Sequence, residues 1–131
     1  MFKTISNYDY KKNRLIYTFQ KSNLIHIADI KSKKDETFEI EKLTTIDFPK
    51  DKLRNISFTR RYLKQNDKIS KILVDGNSNI YVIVKFQEKN ENKYRVYSYN
   101  PLTKNLNYAN TKLQLFTDMA FIKHDKLYVP N

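Results

Sequence analysis

Apolar and polar residues alternate along this chain with the two-residue period of a strand. Ile80, Val82, Val84 and Phe86 fall on one side of an extended segment, with Tyr81, Ile83 and Lys85 on the other. Both sides are largely apolar, which predicts a central strand covered on both faces. After a turn at residues 87–92, the run Tyr94-Arg-Val-Tyr-Ser-Tyr99 predicts an antiparallel partner. Asn100-Pro-Leu-Thr-Lys104 predicts the turn that follows, with Pro101 presetting φ. Further strands are predicted at residues 15–19, 24–30, 37–41, 71–74, 118–123 and 127–129. Helical spacing is poor almost everywhere, so the fold class is all-β and antiparallel.

The strand pattern recurs. Ile72-Leu-Val-Asp-Gly-Asn-Ser-Asn-Ile-Tyr-Val82 aligns without a gap on Met119-Ala-Phe-Ile-Lys-His-Asp-Lys-Leu-Tyr-Val129, and residues 8–18 give a poorer third copy. Residues 23–43 and 93–113 are each a strand, a lysine-bearing turn and another strand. Four strands per unit at this spacing approach the roughly 40 to 50 residues of a propeller blade. The division that follows is a first repeat at 1–43, a basic insertion at 44–71, a second repeat at 72–113 and a partial third at 114–131, all within a single β domain.

The pattern Ile72-Leu-Val-Asp-Gly-Asn-Ser-Asn-Ile-Tyr-Val-Ile-Val-Lys-Phe86, followed by Lys93-Tyr-Arg-Val-Tyr-Ser-Tyr-Asn-Pro-Leu-Thr-Lys-Asn-Leu106 and Asp118-Met-Ala-Phe-Ile-Lys-His-Asp-Lys-Leu-Tyr-Val-Pro-Asn131, resembles blades of a β-propeller. In particular it resembles the six-bladed, TolB-like propeller proteins of unknown function found in bacterial cell envelopes. That resemblance implies a propeller-like module of about two and a half blades, where propellers hold about four to eight. It therefore implies a part of a larger chain or an oligomer, and a place in the cell envelope. The alternative fold is a small OB-like β-barrel, complete at this length and cytoplasmic.

Charge singles out the insertion. The 131 residues carry 25 Lys+Arg against 14 Asp+Glu, a formal +11. Lys, Asn, Ile, Tyr and Phe, all with A/T-rich codons, make up half the chain, so a low-GC genome accounts for part of the basicity. Within residues 48–64, however, Lys50, Lys52, Arg54, Arg60, Arg61 and Lys64 face Asp51 alone. Pro49 could open a short helix there, with Leu53, Ile56, Arg60 and Leu63 near one face.

The run Ser57-Phe-Thr-Arg-Arg-Tyr-Leu-Lys64 interleaves bases with aromatics, a combination that contacts phosphates and stacks on nucleobases. Arg54, Arg60, Arg61, Tyr62 and Lys64 are the binding candidates it supplies. Arg95, Tyr97 and Tyr99, on one face of their strand, could add a stacking platform. The plainer readings are a solvated basic loop anchored by Phe58 and Tyr62, and tyrosines packed against a neighbouring sheet.

Other constellations read as structure. Asp75-Gly-Asn-Ser-Asn79 begins like a calcium loop, but its sixth position is Ile80 and its twelfth Phe86, so a tight turn explains it. His26 and His124 have no second ligand or acid nearby in sequence. Asn55-Ile-Ser57 fits a glycosylation sequon that matters only in a secretory compartment. Glu39 and Glu41 read as the outer face of an edge strand, with Phe38 and Ile40 inward.

No cysteine is present, which rules out disulfides, thiolate metal sites and cysteine nucleophiles. Gly76 is the single glycine, which rules out phosphate loops needing several. The longest apolar run, Ile80–Val84, is far short of a membrane span, and the first residues lack a secretory signal pattern. The sequence thus predicts a non-enzymatic binding or scaffold module without a cofactor, whose ligand is a protein or small molecule. A small basic β domain that binds single-stranded nucleic acid is the alternative.

Overall fold

In the computed structural model, residues 3–43, 67–88, 91–111, 121–123 and 126–128 are described. Their ten strands are β1 (Thr4–Asp9), β2 (Arg14–Phe19), β3 (Leu24–Asp29), β4 (Asp35–Glu39), β5 (Lys68–Val74), β6 (Ile80–Glu88), β7 (Glu91–Asn100), β8 (Asn105–Thr111), β9 (Phe121–Lys123) and β10 (Lys126–Tyr128). They form two four-stranded antiparallel meanders, β1-β2-β3-β4 and β5-β6-β7-β8, and a two-stranded hairpin of β9 and β10. Among the described residues no ladder joins one sheet to another and no closed barrel forms, so the OB-like barrel alternative is incorrect. An OB barrel needs a strand that pairs across both sheets, and among the described residues the edge strands of each meander pair on one side only.

Several strand limits differ from expectation. β4 starts at Asp35 and ends at Glu39 rather than spanning 37–41, because its charged start still pairs with β3 through Ala28 and Asp35. β5 begins at Lys68, inside the segment set apart as 44–71. The predicted turn at 87–92 is mostly ladder, with Gln87 opposite Asn92 and Glu88 opposite Glu91. β1 escaped the pattern because Thr-Ile-Ser-Asn-Tyr-Asp is largely polar. It is held from both sides, by its ladder to β2 and by Asn7 Nδ2, which donates to the Ile72 carbonyl of β5 at 2.9 Å.

The hairpin turns share one device. Asp9, Asp29 and Asn100 each close a strand and accept backbone N–H groups two and three residues on through a side-chain oxygen. Asp75 accepts in like manner from the amides two and four residues on, those of Asn77 and Asn79 at 2.9 Å each, and its other oxygen accepts from Asn79 Nδ2 and the Tyr81 hydroxyl. Each turn then passes through a left-handed residue, Asn13 (φ 55°), Lys33 (58°), Ser78 (65°) and Lys104 (61°). Asx side chains stabilise such turns by replacing a backbone acceptor.

The registers define equivalent positions. The row Tyr8, Leu15, Ala28, Asp35 crosses the first sheet just before these turns, and Val74, Ile80, Tyr99, Leu106 crosses the second in the same place. The sequence pairing of 23–43 with 93–113 is therefore one residue out of step, since Asp29 corresponds to Asn100 and not to Tyr99. The gap-free match of 72–82 to 119–129 is out by one as well. It would place residue 120 opposite Tyr128, where Phe121 lies.

These equivalences show how the sheets stack. The core contains Ile16, Ile25, Ile27 and Phe38 of the first sheet against Ile72, Ile80, Val82, Val84, Tyr97 and Tyr99 of the second. Ile80 and Tyr99 are thus buried by the first sheet, while their counterparts Leu15 and Ala28 alternate to the opposite side. Conversely, Ile16 corresponds to Tyr81, which joins Leu73, Ile83, Tyr94 and Val96 on the second sheet's other face, against Ile122 of β9. Each unit presents the same face forward. A two-fold sandwich would instead bury equivalent rows against each other. The first strands lie in succession, β1 against β5 and β5 against β9. β6 is covered on both faces, as its apolar pattern predicts, with Ile80, Val82, Ile83 and Val84 all fully buried.

Candidate functional site

The Asx turns of both sheets gather at one end and enclose a cleft of about 480 Å³ between the sheets. Lys11, Lys12, Arg14 and Glu36 line it from the first sheet, and Asn77, Ser78, Asn79, Asn100, Pro101 and Leu102 from the second. A shallower cleft of about 420 Å³ adjoins it, between Tyr8, Tyr10 and Lys11 on one side and Val74, Gly76 and Ile122 on the other.

Asp9 organises the basic wall. Its carboxylate is almost fully buried; one oxygen accepts from the Lys11 and Lys12 amides and the other from Arg14 Nη2 at 3.2 Å. The Arg14 guanidinium is held there through that one nitrogen, and its buried Nε has no hydrogen-bond partner among the described residues. Across the cleft, Ser78 is 3% exposed and its hydroxyl is also unpartnered. Buried polar atoms are paired in the great majority of cases, so two orphans lining one cleft are informative.

Of the candidates read from sequence, Arg54, Arg60, Arg61, Tyr62 and Lys64 lie outside the described residues, as does the short helix expected after Pro49. Arg95, Tyr97 and Tyr99 share the β7 face turned to the first sheet. The Tyr99 ring stacks on Phe38, and the Tyr97 ring lies 5.4 Å from that of Tyr108. The Tyr97 hydroxyl donates to Glu41 Oε2 at 3.2 Å. Burial, with the Glu41 charge adding to it, pushes that phenol up to about 12. Tyr99 is raised too, by burial and then by Glu36. Arg95 sits with its guanidinium carbon 4.2 Å from the Phe86 ring centroid and Nη1 3.6 Å from buried Asp67. Beside them, Lys21 donates to the Asp67 carbonyl at 3.0 Å.

Sequence reasoning missed the cleft residues Lys11, Lys12, Arg14, Ser78 and Asn100. The fourfold recurrence of an Asx at the end of a strand was the signal available for them. It also missed the acid beside His26, because Asp35 comes within 3.6 Å of Nδ1 only through the pairing of β3 with β4. The same imidazole stacks on Tyr17 at 4.7 Å.

No family model matches this chain, and no curated protein does. Among solved structures, it is similar to a member of the DUF4221 family from Bacteroides vulgatus. The TM-score is 0.71 at 18% sequence identity. That likeness is one of fold, consistent with the antiparallel all-β sheets. The match covers 98% of this chain and 39% of the DUF4221 protein, so the chain spans about two-fifths of that neighbour's length.

Proposed function

We propose that this chain is a non-enzymatic binding or scaffold module of a β-propeller-like protein, of the TolB-like kind, in which successive sheets stack around an axis and ligands meet the turns. The observation that carries the reading is the front-to-back packing of equivalent rows, with β1, β5 and β9 in succession. The larger DUF4221 neighbour is compatible with further units of the same kind. At the turn end, the carboxylates of Asp9 and Asp75 and the Asn100 amide oxygen are held by turn donors, a structural employment that suits a scaffold.

In this reading, the outward face of the first sheet is where the forward face of another sheet seats. Leu15 and Tyr17 are the counterparts of Ile80 and Val82, which are buried in the sheet that already has a neighbour. Light scattering on the 131-residue chain tests this. Concentration-dependent association is expected, and Leu15→Glu with Tyr17→Glu abolishes it while the far-ultraviolet circular dichroism is kept. A monomer at all concentrations, or an assembly indifferent to both charges, overturns the reading.

A further inference from the structure

We propose that the cleft between the two sheets binds a small hydroxylated ligand bearing one oxyanion, a sugar acid or sugar phosphate by class, with Arg14 Nε and Ser78 Oγ as its innermost polar contacts. The inference is independent of whether further sheets stack, because both walls belong to the two sheets already described.

Three observations converge. The first is the pair of orphans: a guanidinium N–H and a hydroxyl, both buried, both unpartnered among the described residues, and both on residues that line the same cleft. An oxyanion accepts from both, and hydrogen bonds to a charged acceptor are stronger than neutral ones. The second is charge. Lys11, Lys12 and Arg14 line the cleft with Glu36, while the nearby carboxylates of Asp9, Asp29 and Asp75 each accept from turn amides, so the two lysine ammonium groups are what this wall offers an anionic group.

The third is the chemistry of the remaining wall. Asn100 Oδ1 already accepts from the Leu102 and Thr103 amides, so its NH₂ is left to donate. Asn79 Nδ2 already donates to Asp75, so its carbonyl oxygen is left to accept. A donor and an acceptor of this kind match ligand hydroxyls, and a volume of about 480 Å³ is that of a small-molecule site.

Titration calorimetry on the 131-residue chain tests the site with glucuronate and glucose 6-phosphate, using glucose and matched sodium chloride as controls. Binding of at least one charged sugar and no binding of glucose is expected, and the one that binds identifies the oxyanion. Ser78→Gly keeps the positive φ and lacks the hydroxyl, so it weakens binding about tenfold or more, with Ser78→Ala as a second variant should the turn change. Lys3→Gln, which removes an exposed charge before β1 at its far end, leaves binding unchanged. No heat with either charged sugar, equal binding of glucose, or binding that ignores Ser78→Gly and Ser78→Ala overturns the proposal.

Discussion

Phe38 and Tyr99 lie face to face across the two sheets, with ring centroids 3.9 Å apart and planes 8° from parallel. Phe38 comes from the outer strand of the first sheet and Tyr99 from β7 of the second, so this contact ties together elements that share no backbone ladder. Deleting either ring removes buried aromatic area and leaves a cavity, and each of Phe38→Ala and Tyr99→Ala should cost about 3 kcal/mol. Urea unfolding of both singles and the double variant should give a coupling near 1 kcal/mol. Purely additive losses would show that the stacked rings do not hold the sheets together.

The four left-handed turn residues make a second, opposite expectation. Lys33 and Lys104 carry a Cβ into a region that glycine enters freely. Lys33→Gly and Lys104→Gly should each raise stability by about 0.5–1 kcal/mol, net of the added freedom in the unfolded chain. Higher urea midpoints at unchanged slope would show it. Loss of stability would mean that the lysine side chains contribute more than their backbone strain costs.

How far the fold was legible follows from what each residue needed. β6 and β7 were readable because Ile80, Val82 and Val84 alternate with residues that face a second apolar layer, and Pro101 punctuates the turn after them. β1 was not, since its largely polar run is placed by the ladder to β2 and by the Asn7 side chain, which donates to Ile72 across 65 positions of sequence. The repeat is legible in outline but one residue out of step, because apolar identity sets the sequence match while the ladder follows Asp29 and Asn100. At the candidate cleft, Arg14 carries no motif, and Ser78 belongs to the Asp75–Asn79 run, which reads as a turn and not as a site. Only the stacking of one sheet on the next brings them to the same space.

Asp9 should be far more sensitive than its exposed neighbours. Its side chain is 2% exposed and serves two turn amides and the Arg14 guanidinium. Asp9→Ala leaves that guanidinium without its acid and should cost about 3 kcal/mol, whereas Lys11→Ala should stay within about 0.5 kcal/mol. Equal effects would show that Asp9 caps a turn and nothing more.

The pH dependence of stability turns on two groups at the opposite end from the cleft. Burial, with the Lys68 charge adding and Asp67 opposing, brings the Lys21 ammonium down from 10.5 to about 8. The folded chain therefore holds fewer protons than the unfolded one between these values, so stability rises with pH from about 8 to 10.5 and is lost as pH falls through about 8. Tyr97 works in the other direction. Its phenol is raised from 10.0 to about 12, so its contribution is complete below 10 and is lost as pH rises from 10 to 12. Urea midpoints should climb between pH 8 and 10 and fall above it. Lys21→Met should flatten the climb, and Tyr97→Phe should soften the fall, with part of it remaining through Tyr99, whose phenol is also raised. A midpoint that declines steadily from pH 8, with Lys21→Met tracing the same curve, would show that the ammonium is not confined beside Lys68 and Asp67.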